Sequence, residues 1–150
     1  MIVWRLVKAG EHALDGAGTL RFGGRYCSPG LRIVHFASEA GLAVLVQQRY
    51  LAEPAETCET PFDLGWTEIA ATPERVPDGL DRAATIAFVD AWAASARALL
   101  LAVRSAVLPE ADVILMNAAH PDAGGVPPLA VRPFRFAQCL HRPPMLGRYS

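Results

Sequence analysis

One arginine and one serine stand among three glycines and a proline in GGRYCSPG, Gly23 to Gly30. Glycine lets a backbone approach a ligand closely, and the planar fork of Arg25 matches phosphate oxygens, so the stretch could form an anion site. The same residue types also make a plain turn, with Ser28, Pro29 and Gly30 leading into whatever follows. Both readings stand on this stretch alone. The four histidines, His12, His35, His120 and His141, show neither HExxH nor HxH spacing, so no metal site is expected. Three widely spaced cysteines, Cys27, Cys58 and Cys139, contain no CxxC pair and indicate neither a disulfide framework nor a zinc knuckle. A reducing compartment, and so a cytoplasmic protein, is the expectation.

These residues must be positioned by a single fold. A chain of 150 residues with 52% hydrophobic content is long enough for one domain with a full core and short for two, so one domain over 1–150 is expected. Lys and Arg number 14 against 15 Asp and Glu, and a net charge of -1 gives no whole-surface attraction for nucleic acid or an acidic membrane. The N-terminal MIVWRLVKAG lacks a long apolar core, and the most apolar run, Ala98 to Val103, is too short to span a bilayer. Neither direct nucleic-acid binding nor a membrane role is expected.

Ile2 to Val7 reads as a short strand, and AGEHALDGAGTLRFGG as loop, because Gly and Asp interrupt it repeatedly. LRIVHFA, Leu31 to Ala37, has the β-branched and aromatic composition of a buried strand. Ser38 as a cap, Glu39 in the first turn, and Leu42, Leu45, Val46 and Tyr50 at helical spacing predict a helix over 38–51. Pro54 and a polar loop end it before a strand from Trp66 to Ala71, which Pro73 and Pro77 close. Asp81 caps a helix through ATIAFVDAWAASA, with Ile86, Val89, Trp92 and Ala93 on its apolar face. The run from Ala98 to Val103 is strand or continued helix by periodicity alone. Asp112 to Asn117 is a strand, HPDAGGVPP a turn-rich connection and LAVRPFRF a last strand. The pattern is α+β.

In order, and along nearly the whole chain, these segments resemble the RES-domain family. Its opening Trp-Arg pair, Gly-rich stretch and G-G-R-W-N-S-P-G are matched by Trp4-Arg5, Asp15 to Gly18 and GGRYCSPG. Its V-V-Y-T-A strand and L-A-x-L-E helix are matched by IVHFA and GLAVLV. Its G-D-A-W, P-S-A-V-x-P-E and N-P-x-H-P-D resemble VDAW, RSAVLPE and NAAHPD. The resemblance favours a strand at Ala98 to Val103. It implies a single ADP-ribosyltransferase-like α+β domain, a mixed β-sheet with flanking helices.

The resemblance further implies an NAD-consuming toxin of a toxin–antitoxin pair, with NAD as substrate and no metal. The nicotinamide–ribose bond would be cut by hydrolysis or phosphorolysis. Two alternatives stand beside this: a mono-ADP-ribosyltransferase acting on a host protein, and a divergent domain that binds NAD or antitoxin with little catalysis. The implied partner is a cognate antitoxin with a helix-turn-helix domain, in a complex that could hold more than one copy of the chain. Arg25, with Gly23 and Gly24 giving close backbone approach, falls on the pyrophosphate side, and Ser105 matches the family serine, facing ribose or nicotinamide. Ser28 is a further cofactor-binding candidate and Arg5 a weaker one. His35 stands where the family has tyrosine and would lie against the nicotinamide ring. Turn closure, turn capping and core packing are the plain alternatives for Arg25, Ser105 and His35. Val46 occupies the family's glutamate position, Gln47 and Gln48 do not replace it in register, and FAQCL, Phe136 to Leu140, departs from the family's F-D-P-R-L ending.

Overall fold

The protein is described by a computed structural model over residues 1–139. Leu140 and His141 lie outside the described residues. Seven strands form one sheet: β1 (Ile2–Lys8), β2 (Ile33–Ala37), β3 (Phe62–Glu68), β4 (Glu74–Arg75), β5 (Leu100–Arg104), β6 (Asp112–Asn117) and β7 (Ala130–Phe134). Four helices accompany it: α1 (Ala17–Phe22), α2 (Ala40–Gln48), α3 (Arg82–Ser95) and α4 (Phe136–Cys139). The strand order is β4-β5-β6-β2-β1-β3-β7. All neighbours are antiparallel except β4 and β5.

Strands β2, β5 and β6 are apolar runs because both of their faces are covered. Ile33, Leu101, Val103, Val113 and Leu115 pack with Leu42 of α2 and Val89 and Trp92 of α3. The alternate residues Val34, Phe36, Leu100, Ala102, Ile114 and Met116 form the core of the other face with Val3 and Ile69. Each fully buried aliphatic side chain of this kind contributes roughly 2 kcal/mol.

The junction of β1 and β2 sets the site. β1 pairs with β3 along seven successive positions, from Ile2 against Glu68 to Lys8 against Phe62. Against β2 it pairs at Trp4 and Ala37 alone. Past that point the two strands part, and the sheet divides into β4-β5-β6-β2 and β1-β3-β7.

Several elements depart from the sequence expectation. Residues 17–22, read as loop, form α1, and Thr19 fastens it by donating to Leu31 O (2.9 Å) and accepting from Ile33 N (2.8 Å). Ser38 does not cap α2; its Oγ accepts the Asp112 N–H at 3.0 Å, across the sheet, and Glu39 takes the cap position. The strand placed at Trp66 to Ala71 runs instead from Phe62 to Glu68, with Gly65 inside it. A Cβ there would stand 2.9 Å from Leu129 Cδ1, so the glycine admits a packed leucine. Between Pro73 and Pro77 lies the two-residue edge strand β4, where missing N–H groups are tolerated. Asp81 does cap α3, accepting from Ala84 N at 2.8 Å. No helix of the described residues is long and apolar enough to cross a membrane.

Candidate functional site

Where β1 and β2 part, a cavity of about 270 Å³ opens. Arg5 and Leu6 border it from β1, His35 and Phe36 from β2, Val46 and Gln47 from α2, Ser105 to Val107 from the turn after β5, and Gly24, Arg25 and Tyr26 from GGRYCSPG. Residues separated by up to a hundred positions thus meet around one space because the sheet fails to close there.

The loop owes its shape to its glycines. Gly23 ends α1 at φ 70, in the left-handed region that favours glycine, and its N–H bonds to Thr19 O at 2.8 Å. A Cβ on Gly24 would lie 3.1 Å from His35 Cε1 and 3.3 Å from Cys27 Sγ, so the backbone rests on the imidazole. Gly24 borders the cavity; Gly23 does not. Arg25 has no ion-pair partner among the described residues, and its guanidinium lies 5.7 Å from the centre of the Tyr26 ring. A turn salt bridge, the plain alternative for this residue, is therefore not formed.

Ser28 stands elsewhere. Its Oγ donates to Asp90 Oδ2 at 2.6 Å and its N–H to Asp90 Oδ1 at 3.0 Å, tying the loop to α3. It does not border the cavity, so the serine in the loop holds Arg25's scaffold in place instead of meeting a ligand there. Cys27 is buried beside it, and burial, with Asp90 adding to it, pushes the thiol up and away from nucleophilic character.

His35 packs against Tyr26, ring centres 6.4 Å apart and planes 20° from parallel. Its Nε2 is sealed from solvent with no hydrogen-bond partner among the described residues. Burial first, then the nearby Arg5 charge, lowers its pKa from 6.5 to about 4, so the ring is neutral at pH 7. Its contribution to the cavity is ring surface rather than a mobile proton. Arg5 is itself pushed down by burial, with Asp15 and Glu11 acting in the opposite sense.

Ser105 is buried, and its Oγ accepts the N–H groups of Val107 (3.3 Å) and Leu108 (3.2 Å). That is the turn-capping role, and it coexists with a place on the cavity wall. With two N–H groups donating to the oxygen, the hydroxyl proton is left to donate to a ligand.

On α2, Ala43, Val46 and Gln47 recur three and four apart and face the cavity together, while Gln48 is exposed. The apolar spacing that predicts the helix also places Gln47 on this face, a signal that sequence reasoning passed over. Leu45, counted on the apolar face from sequence, is exposed. No Asp or Glu borders the cavity among the described residues. Thr19, Tyr26, Gln47, Arg49 and Tyr50 also border the cavity, with no ligand role assigned to them from the sequence.

The wider opening beyond Arg25 is a second chamber of about 670 Å³, bordered by Arg25, Arg49, Arg82 and Arg104 with Tyr50 and Leu80. Among the described residues no group of three or more His, Cys, Asp or Glu side chains is placed to hold a metal ion.

The family model of the RES domain matches residues 2–137. The chain belongs to the RES-domain family. A relative from Sphingobium sp. (strain YBL2), described as a Prs ADP-ribosylating toxin, is 37% identical over 134 residues, 79% of this chain and 81% of its own. The crystal structure of the M. tuberculosis MbcT-MbcA toxin-antitoxin complex contains a chain that superposes with a TM-score of 0.72 at 19% identity, over 91% of this chain and 85% of that one. The fold is thus the ADP-ribosyltransferase-like α+β fold of RES domains, with the mixed sheet and flanking helices that the motifs implied.

Proposed function

We propose that this RES domain is the toxin of a toxin–antitoxin pair and consumes NAD by cleaving the nicotinamide–ribose bond. The observation that carries the reading is the meeting of Arg25, His35 and Ser105 around one cavity at the parting of β1 and β2. Breaking that bond requires the pyrophosphate to be held, the nicotinamide to be fixed and the ribose to be oriented. Arg25, free of any ion pair among the described residues, presents its fork to the pyrophosphate, with the Gly24 backbone beside it. Tyr26 and His35 offer ring surface to the nicotinamide, and the Ser105 hydroxyl donates to its amide or to the ribose.

The partner in this reading is a cognate antitoxin carrying a helix-turn-helix domain, and the setting is the cytoplasm, where NAD is at hand. Purified protein lowers NAD in a coupled assay, and Arg25→Ala abolishes the loss. Undiminished NAD at high protein concentration refutes the reading. The Sphingobium relative's description favours a second outcome, transfer of ADP-ribose to a protein. NAD labelled in the adenosine half separates the two, since transfer leaves label on protein and cleavage releases it as small molecules.

A further inference from the structure

We propose that the outer chamber binds a phosphate carried on the adenosine ribose, so that the preferred dinucleotide is the 2′-phosphorylated one, NADP, rather than NAD. The inference rests on the NAD-cleft reading above and names the substrate more narrowly.

The inner cavity is small and walled mainly by aromatic and aliphatic side chains, which suits the nicotinamide end. Arg25 borders both spaces, so a dinucleotide whose pyrophosphate lies on Arg25 extends its adenosine half into the outer chamber. There the positive charge exceeds what a pyrophosphate calls for. Arg104 is held by Asp78 at 2.9 Å, but among the described residues Arg49 and Arg82 have no carboxylate partner and no Asp or Glu borders the chamber. Arg25, Arg49 and Arg82 therefore border the chamber with donors left unpaired by any carboxylate among the described residues, and a dianionic phosphate monoester one ribose beyond the pyrophosphate would receive charge-assisted hydrogen bonds from them. Tyr50 and Leu80, 63% and 39% exposed at this opening, supply flat apolar surface for the adenine.

The test uses the whole chain and two ligands that are not consumed, ADP-ribose and its 2′-phosphate, titrated by calorimetry, alongside steady-state loss of NAD and NADP. The 2′-phosphorylated ligand binds about tenfold tighter, the factor that one hydrogen bond to a charged group supplies. KM for NADP falls below that for NAD in the same proportion. The preference shrinks as salt is raised and collapses toward one in Arg82→Gln, an exposed substitution that leaves the core untouched. Equal or weaker binding of the 2′-phosphorylated ligand overturns the inference while leaving the NAD-cleft reading intact. So does a saturable acceleration of NAD loss by inorganic phosphate that Arg82→Gln removes, because the chamber then serves a free phosphate. Failure to bind ADP-ribose together with no loss of either dinucleotide overturns the NAD-cleft reading itself, and this inference with it.

Discussion

Acidification between pH 6.5 and 4 should destabilise the protein through His35. Its Nε2 is enclosed without a hydrogen-bond partner among the described residues, Gly24 lies against the ring edge, Tyr26 covers a face, and the charged group acting on it is Arg5. Protonation in the folded state would therefore bury a second cation near an existing one. In the unfolded chain the imidazole titrates near 6.5, whereas in the fold its pKa is about 4. Between these values the unfolded state binds more protons, so stability is full above 6.5 and is lost as pH falls toward 4. At ~1.4 kcal/mol for each tenfold difference in proton affinity, the loss is about 3 kcal/mol, a large part of the ~5–15 kcal/mol typical of a domain. Urea unfolding at pH 7 and pH 4, in wild type and His35→Gln, isolates this contribution, because the carboxylates titrate alike in both proteins. The stability difference between the two should narrow or reverse at pH 4. An NMR titration placing the His35 ring pKa at 6 or above would refute the reasoning.

Two substitutions separate scaffold from chemistry. Ser28→Ala removes the 2.6 Å hydrogen bond to the Asp90 carboxylate while keeping the backbone one, and should lower stability by about 2 kcal/mol; a change within ~0.5 kcal/mol means the tie to α3 contributes nothing beyond an ordinary surface contact. Val46→Glu places a carboxylate on the α2 face that borders the cavity, beside an opening lined by arginines, and should raise NAD consumption by about 10²-fold, the scale of one well-placed electrostatic group. Unchanged consumption in a variant that still binds ADP-ribose refutes a catalytic place for an acid at this position.

The strands buried on both faces were legible in the sequence because their composition admits little else: Asp112 to Asn117 has the boundaries that its β-branched and aliphatic run suggests. Asp81 was legible as a cap for the same local reason, since a short acidic side chain before an apolar repeat satisfies the first N–H groups. The misreadings arose where a tertiary partner decides. The stretch from Phe62 to Gly65 does not read as strand in the sequence, and its place becomes plain only when Leu129 is seen packed over Gly65; α1 looks like loop until Thr19 is seen fastened to the carbonyls leading into β2. Ser38 has a cap's composition, yet the Asp112 N–H across the sheet claims its oxygen. The motifs named Arg25, His35 and Ser105, which do border one cavity, but spacing could not show that Ser28 belongs to Asp90, sixty-two positions away. Nor could it show that Gln47 and Arg49 face the same space.

The cavity's electrostatics give these residues a shared logic. Among the described residues, every charged side chain bordering the two spaces is an arginine and no carboxylate borders either, and with its pKa lowered to about 4 the His35 ring is a weak base. If the proposed cleavage takes place here, positive charge developing on the ribose as the nicotinamide bond stretches would be offset by anions that come with the ligands, chiefly the dinucleotide's own phosphates, since no carboxylate of the described residues borders the site. In the proposed reading, those phosphates are what the arginines would hold. Binding strength and rate are then coupled through the same groups: neutralising an arginine at the opening weakens the hold on the phosphates and also moves the nearest negative charge away from the reacting carbon. Arg25→Lys, which keeps the charge but loses the planar fork, should consequently raise KM and lower kcat together, whereas a residue that serves only as scaffold, such as Ser28, moves stability first.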